Sequence, residues 1–145
     1  MSRIVSYKGL LPDGTQEAIP LGTIRGETGY RIKKLEIMGA EPGTGTYELV
    51  AQIWSIQQST IVGTVDFSDQ TLIGVAYYRD NAGSQYQDSV TVVFDNITFN
   101  QDIYVTAKDV SGNVKPINWH LELEQVDLAL DEATVATLKD IRNND

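Results

Sequence analysis

The chain has 145 residues and a net charge of −9, from 11 basic and 20 acidic side chains. This length suits a single domain with its own core, and 41% hydrophobic with 21% charged residues is typical of a globular protein. The acidic balance argues against direct binding to nucleic acid or to anionic lipid, because both are themselves negatively charged. The absence of cysteine excludes disulfides and zinc–thiolate sites.

The sequence shows no targeting or membrane segment. The first residues contain no long apolar run, so we expect no signal peptide. No stretch approaches the roughly 18 apolar residues that a membrane helix needs, so we expect no membrane insertion.

Most of the chain has the pattern of β-strands, in which apolar and β-branched runs alternate with clusters of Gly, Asn, Asp and Pro. Two weaker candidates are Glu17–Ile24, which Pro20 restricts to a sheet edge or an extended segment, and Ile61–Asp66. Seven or eight strands in this length predict an all-β protein, an antiparallel β-sandwich or barrel. The stronger predicted strands are Arg3–Tyr7, Tyr30–Met38, Tyr47–Ile56, Thr71–Tyr78, Ser89–Phe94, Asp102–Ala107 and Ile117–Gln125.

Turn residues separate several of these strands. Pro12–Gly14 favours a tight turn, because Pro fixes φ and Gly accepts a positive φ. We expect residues 42–45, Pro-Gly-Thr-Gly, to close a hairpin, and residues 109–113 to turn the chain again. The longer polar segment Arg79–Asp88, which contains Tyr86, is predicted to be an exposed loop.

The last predicted strand alternates strictly between apolar and polar residues, as a half-buried antiparallel strand does. The only histidine, His120, lies on its polar face beside Glu122 and Glu124. A histidine with two carboxylates could bind a metal ion. Strand alternation alone produces the same pattern, so a solvated face is the favoured interpretation.

Three of the strands carry apolar residues on both faces, although an isolated antiparallel sandwich is expected to have a polar outer face. The second faces include Trp54, Tyr77 and Val93. Loops or the tail could cover these residues within the chain, or a second subunit could cover them. We therefore take the three as candidate interface residues.

The residues after the last strand are expected to form a short helix. Asp131 suits an N-cap, and Val135, Leu138 and Ile141 make a narrow apolar stripe. A helix of about 12 residues is marginal in water, so it must dock on its own domain, dock on a neighbour or remain frayed. We place a β-sandwich domain in 1–125 and a tail in 126–145, and we add the stripe to the interface candidates.

The motifs give no indication of catalysis. The chain lacks a G-x-S-x-G elbow, and the glycine-rich run 22–29 lacks the Gly-Lys-Ser/Thr of a phosphate-binding loop. Asp80, Asn81 and Asp88 offer oxygens for calcium, but their spacing does not match an EF-hand. We therefore expect no catalytic, cofactor-binding or metal-binding residues, and hence no enzyme.

Three stretches carry a further pattern: residues 29–38, residues 94–96 with 99–106, and residues 121–124, Leu-Glu-Leu-Glu, with 134–142. Together they resemble small β-rich proteins encoded by marine bacteriophages, from about Tyr30 to the end of the chain. The resemblance is one of strands and tail rather than of a catalytic signature. It implies a virion component, a capsid or capsid-associated protein with a jelly-roll-like sandwich.

We therefore expect an antiparallel, jelly-roll-like β-sandwich with a short C-terminal helix that serves as a virion structural protein. It would be a capsid subunit or a capsid-decorating protein, made in the host cytoplasm. Its partners would be further copies of itself and other capsid proteins. The alternative is a receptor- or carbohydrate-binding module that uses the Arg79–Asp88 loop.

Overall fold

The computed structural model describes residues 3–21, 28–41, 45–80, 88–94 and 97–127. Within them eight strands form two antiparallel sheets, which confirms the prediction of an all-β protein. The predicted C-terminal helix lies outside these residues. The strands are β1 (Arg3–Leu11), β2 (Thr15–Ile19), β3 (Thr28–Gly39), β4 (Tyr47–Trp54), β5 (Leu72–Asp80), β6 (Asp88–Val93), β7 (Ile103–Asp109) and β8 (Ile117–Asp127).

The strands divide between a three-stranded sheet in the order β1-β8-β3 and a five-stranded sheet in the order β2-β7-β4-β5-β6. The last strand is therefore the middle strand of its sheet and pairs with β1 from Arg3↔Gln125 to Leu11↔Ile117. It extends to Asp127, two residues beyond the predicted end of the sandwich domain. A turn with φ +75° at Gly14 carries the chain from β1 to the other sheet.

Two local predictions are wrong. Residues 42–45 do not join the strands of a hairpin, because β3 pairs with β8 while β4 pairs with β5 and β7. Residues 61–66 form no strand and belong to the irregular connection between β4 and β5. Val62 and Val65 of this apolar run are exposed, and a strand needs a hydrogen-bonded neighbour for its backbone, which this run lacks among the described residues.

The two sheets pack face to face on one apolar core. In β8 the residues Ile117, Trp119, Leu121 and Leu123 are buried, as the alternation of that strand predicts. They join one cluster with the inward residues of β4 and β7 from the other sheet. At the contact of β3 with β5, a Cβ on Gly74 would lie 3.2 Å from Ile32 Cδ1. The strands approach closely there because residue 74 has no side chain. The inward residues of β4 and β7 are Tyr47, Leu49, Ile53, Ile103, Val105 and Ala107.

Candidate interaction surfaces

A second apolar cluster lies on the opposite face of the five-stranded sheet. It is built on Val50 and Trp54 of β4 with Leu72 and Val75 of β5. Alternation along β4 turns Val50 and Trp54 away from the main core, which receives Leu49 and Ile53 of the same strand. The expectation of apolar side chains on both faces of the central strands is therefore met in β4.

The connection between β4 and β5, residues 55–71, is tied to this second face. Gln52 is fully buried on β4 and donates from Nε2 to the carbonyl oxygens of Val62 at 3.3 Å and Thr64 at 3.2 Å. Trp54 is only 5% exposed, and its Nε1 donates to Thr106 Oγ1 at 3.0 Å. The chain itself thus buries Trp54, one of the interface candidates from the sequence.

The structure separates the two remaining candidates of the described strands, Tyr77 and Val93. Tyr77 is half-buried beside the second cluster, with its hydroxyl 3.3 Å from Glu48 Oε2. Val93 is half-buried and packs against the main core rather than on the second face. The tail residues Val135, Leu138 and Ile141 lie outside the described residues.

The outer face of the three-stranded sheet carries charged side chains from β1, β8 and β3, and we call this surface the charged grid. His120 lies between Lys8 of β1 and Glu36 of β3, and its Nε2 is 4.0 Å from Glu122 Oε1. Glu124 lies opposite Arg31 of β3. Glu122 lies opposite Lys34, so this face brings opposite charges side by side across the strands, in agreement with a solvated face. No group of three His, Cys, Asp or Glu side chains that could hold a metal ion occurs in the described parts of the chain.

Beside this grid lies an exposed apolar spot formed by Leu10 and Met38. Both side chains flank Asn118 across the sheet, and they are 55% and 51% exposed. Neighbouring strands are about 4.8 Å apart, so the two residues lie about 10 Å from each other. Strand β1 is also an edge of the sheet, because β8 is its only hydrogen-bonded neighbour among the described strands.

The Arg79–Asp88 segment is a loop only in part. Arg79 and Asp80 belong to β5 and Asp88 to β6, while residues 81–87 with Tyr86 lie outside the described residues. Asp80 is buried and accepts a hydrogen bond from the Tyr47 hydroxyl at 3.1 Å. Burial raises the pKa of Tyr47, and the bond to the Asp80 carboxylate raises it further. Asp80 therefore has a structural role in the interior as the acceptor for Tyr47.

A pocket of about 380 Å³ opens at one end of the two sheets, where β5 begins and β6 ends. All three phenylalanines of the chain line it. Phe67 is 58% exposed, and its ring meets the Phe94 ring edge-on at a centroid distance of 5.3 Å. The Ser55 hydroxyl oxygen is buried in the wall and has no hydrogen-bond partner among the described residues. We call this site the phenylalanine pocket. The other apolar lining residues are Leu72, Ile73 and Ile97.

The sequence did not single out this pocket. Its phenylalanines stand at 67, 94 and 99, on the β4–β5 connection and on the segment from β6 to β7. No spacing rule links such positions, since the pairing of β5 with β6 and the bridge from Phe99 to Tyr30 of β3 help to bring them together. A volume of this size with mostly apolar walls and a few polar atoms is typical of a binding site for a small group.

No known protein family matches the chain, and no curated protein is similar to it. Among the described residues, no helix is long and apolar enough to cross a membrane.

Proposed function

We propose that the protein is a virion structural protein, a capsid subunit or capsid-decorating protein that works by assembling with copies of itself and with other capsid proteins. The observation that supports this most strongly is the order of the strands. An eight-stranded jelly roll, a fold used by viral capsid and lectin domains, holds strands 1, 8, 3 and 6 in one sheet and 2, 7, 4 and 5 in the other.

The strand order here agrees with that scheme in seven of eight positions. The orders β1-β8-β3 and β2-β7-β4-β5 are those of a jelly roll. Strand β6 departs from it, because its hydrogen-bonded neighbour is β5. It nevertheless lies against β3, since the Thr91 hydroxyl donates to the Leu35 carbonyl oxygen at 3.2 Å. We interpret the fold as a jelly roll in which β6 remains with the strand that precedes it.

In this proposal the outer face of the three-stranded sheet forms the contact between copies. Leu10 and Met38 form an exposed apolar spot, and the adjoining charged grid contains both signs. A two-fold axis between Leu10 and Met38 would set apolar residues of two copies against each other, and a charged surface of both signs allows opposite charges to pair around them. The acidic net charge suits a contact with protein rather than with the packaged genome. We place the protein in the virion after synthesis in the host cytoplasm, and the role requires no catalysis.

Assembly is tested by measuring the mass in solution with light scattering after size exclusion, over about a hundredfold range of protein concentration. We expect a closed oligomer or larger particles. Leu10→Asp and Met38→Asp should each weaken assembly at least about tenfold, because a charge replaces an apolar contact. Val114→Asp is the matched control, since Val114 is also exposed but stands in the connection before β8 rather than on the sheet face.

A monomer at every concentration contradicts self-assembly. It would favour the alternative of a receptor- or carbohydrate-binding module, because jelly rolls also form lectins. A glycan array with the wild type and Tyr86→Ala tests that alternative directly. Binding that is lost in the variant would assign the function to the segment between β5 and β6.

A further inference from the structure

The phenylalanine pocket lies beside the point where the chain leaves the described fold. Tyr30 pairs with Gln125 of β8 on one side and forms a bridge to Phe99 on the other. Two strand spacings of about 4.8 Å place Gln125 about 10 Å from Phe99, which lines the pocket. Strand β8 ends two residues later at Asp127. Eighteen residues, 128–145, follow it.

These eighteen residues contain apolar side chains that need a partner. The stripe of Val135, Leu138 and Ile141 is too short to be stable as a solvated helix. Residues 128–130 can span about 10 Å when extended, and a helix adds about 1.5 Å per residue. The stripe can therefore reach the pocket without leaving its own molecule.

We propose that the phenylalanine pocket is the docking site of the chain's own C-terminal segment, with Leu138 as the residue that enters it. The pocket offers the exposed ring of Phe67 and apolar walls from Leu72 and Ile97. Asp69 also lines the pocket, and the basic residue Lys139 follows Leu138 directly. The buried Ser55 hydroxyl gains a polar partner when a chain segment with its own polar groups covers it.

Docking within one molecule is favoured over docking on a second copy. A short linker holds the segment at an effective concentration of about millimolar, so a weak contact suffices. The inference does not rest on the assembly role, because a monomer docks its tail equally well.

Limited proteolysis of the full-length protein tests the inference through tryptic cleavage after Lys139 and Arg142. We expect Leu138→Asp to speed cleavage after Arg142 at least about tenfold, and this site is the one compared between variants because residue 138 directly precedes Lys139. Ala136→Asp introduces the same residue about 200° away around the helix and should change the rate less than about threefold. Phe67→Asp alters the pocket at an exposed side chain, and it should release the tail as Leu138→Asp does.

The double variant Leu138→Asp with Phe67→Asp should cleave no faster than either single variant, because both remove one contact. Far-UV circular dichroism checks that the strands remain. If Phe67→Asp leaves the cleavage rate at its wild-type value, the pocket is not the docking site. If cleavage slows as the protein concentration rises, the tail docks on a second copy and the intramolecular proposal fails. Either result can occur whether or not the protein forms the oligomers expected above. The experiment therefore tests tail docking independently of self-assembly.

Discussion

At the scale of single residues, Asp109 stabilises the turn between β7 and β8. Its carboxylate accepts hydrogen bonds from the backbone N–H groups of Ser111 and Lys115, each at 3.0 Å, and from the Ser111 hydroxyl. Burial by itself raises the pKa of Asp109, but these bonds and one from the Glu48 N–H outweigh it and hold the pKa below its usual range. The charged form of Asp109 is therefore favoured by folding.

The first prediction concerns the pH dependence that follows. A carboxyl group with a lowered pKa contributes stability that is complete above its unfolded pKa of about 4 and is lost as the pH falls through its folded-state value. We expect Asp109→Asn to reduce the free energy of unfolding by about 1–3 kcal/mol at pH 7, since an amide nitrogen replaces an accepting oxygen. The difference from the wild type should shrink below pH 4 in urea titrations.

Asp66 offers a matched control for this prediction. Like Asp109, it accepts bonds from the N–H and the hydroxyl of the serine two residues later, which lower its pKa. Asp66 is exposed, so water replaces those bonds when they are lost. Asp66→Asn should leave the midpoint of unfolding nearly unchanged. An effect as large as that of Asp109→Asn would show that the contribution of Asp109 to the free energy of unfolding does not depend on its burial.

At the scale of elements, the connection between β4 and β5 acts as a cover without being a strand. Its contact with the sheet depends on Gln52, which donates to two carbonyl oxygens of the connection. At its start, Gln16 of β2 holds Gln58 in both directions: the Gln58 N–H donates to Gln16 Oε1 at 2.8 Å, and Gln16 Nε2 donates to the Gln58 carbonyl at 3.2 Å. Hydrogen bonds from polar side chains therefore hold this connection against the sheet, although its backbone forms no β-strand.

The second prediction is that Gln52→Leu loosens this cover while the sheets persist. The variant removes both hydrogen bonds, and the freed carbonyls of Val62 and Thr64 can turn to water. Hydrogen exchange of amides in 61–65 should become about tenfold faster, and Trp54 fluorescence should shift to the red. Gln57→Leu, at an exposed position of the same connection, should change neither. Unchanged exchange in Gln52→Leu would mean that apolar packing alone holds the segment.

The sequence predicted the elements far better than their arrangement. The alternation of β8 identified its buried face from Ile117 to Leu123, because a period of two is a local property. The pairing of β8 with both β1 and β3 could not be predicted, since strand partners are chosen by contacts across the whole chain. Trp54 illustrates the same limit. Its position on a second apolar face could be predicted, but the side chains that bury it, such as Tyr104 and Thr106 of β7, are set by strand pairing across the whole chain.

At the scale of the whole molecule, one apolar core joins both sheets. If the sheets separated, each would expose its apolar inner face to water. The two tryptophans report on different sheets, Trp119 from β8 and Trp54 from β4. Both are buried, Trp119 in the main core and Trp54 in the second cluster. Their fluorescence therefore tests whether the molecule unfolds as a unit.

The third prediction is a single cooperative transition. In Trp54→Phe only Trp119 emits, and in Trp119→Phe only Trp54 does. Within each variant, the fluorescence and circular dichroism transitions in urea should have one common midpoint. A fluorescence change that precedes the loss of strand signal in either variant would reveal a sheet that unfolds on its own.

Because β8 is the middle strand of its sheet, β1 cannot pair during synthesis until the last strand has been made. Strand β1 leaves the ribosome first, yet its neighbour in the sheet is made about 100 residues later. At about 5–20 residues per second, β1 waits roughly 5–20 s with its backbone unpaired and with Val5 and Tyr7 still in water. An extended apolar segment of this kind is what chaperones bind and what aggregates form from. Among the eight described strands, β1 thus waits longest for its first neighbour in the sheet, and the arrival of β8 ends that exposure.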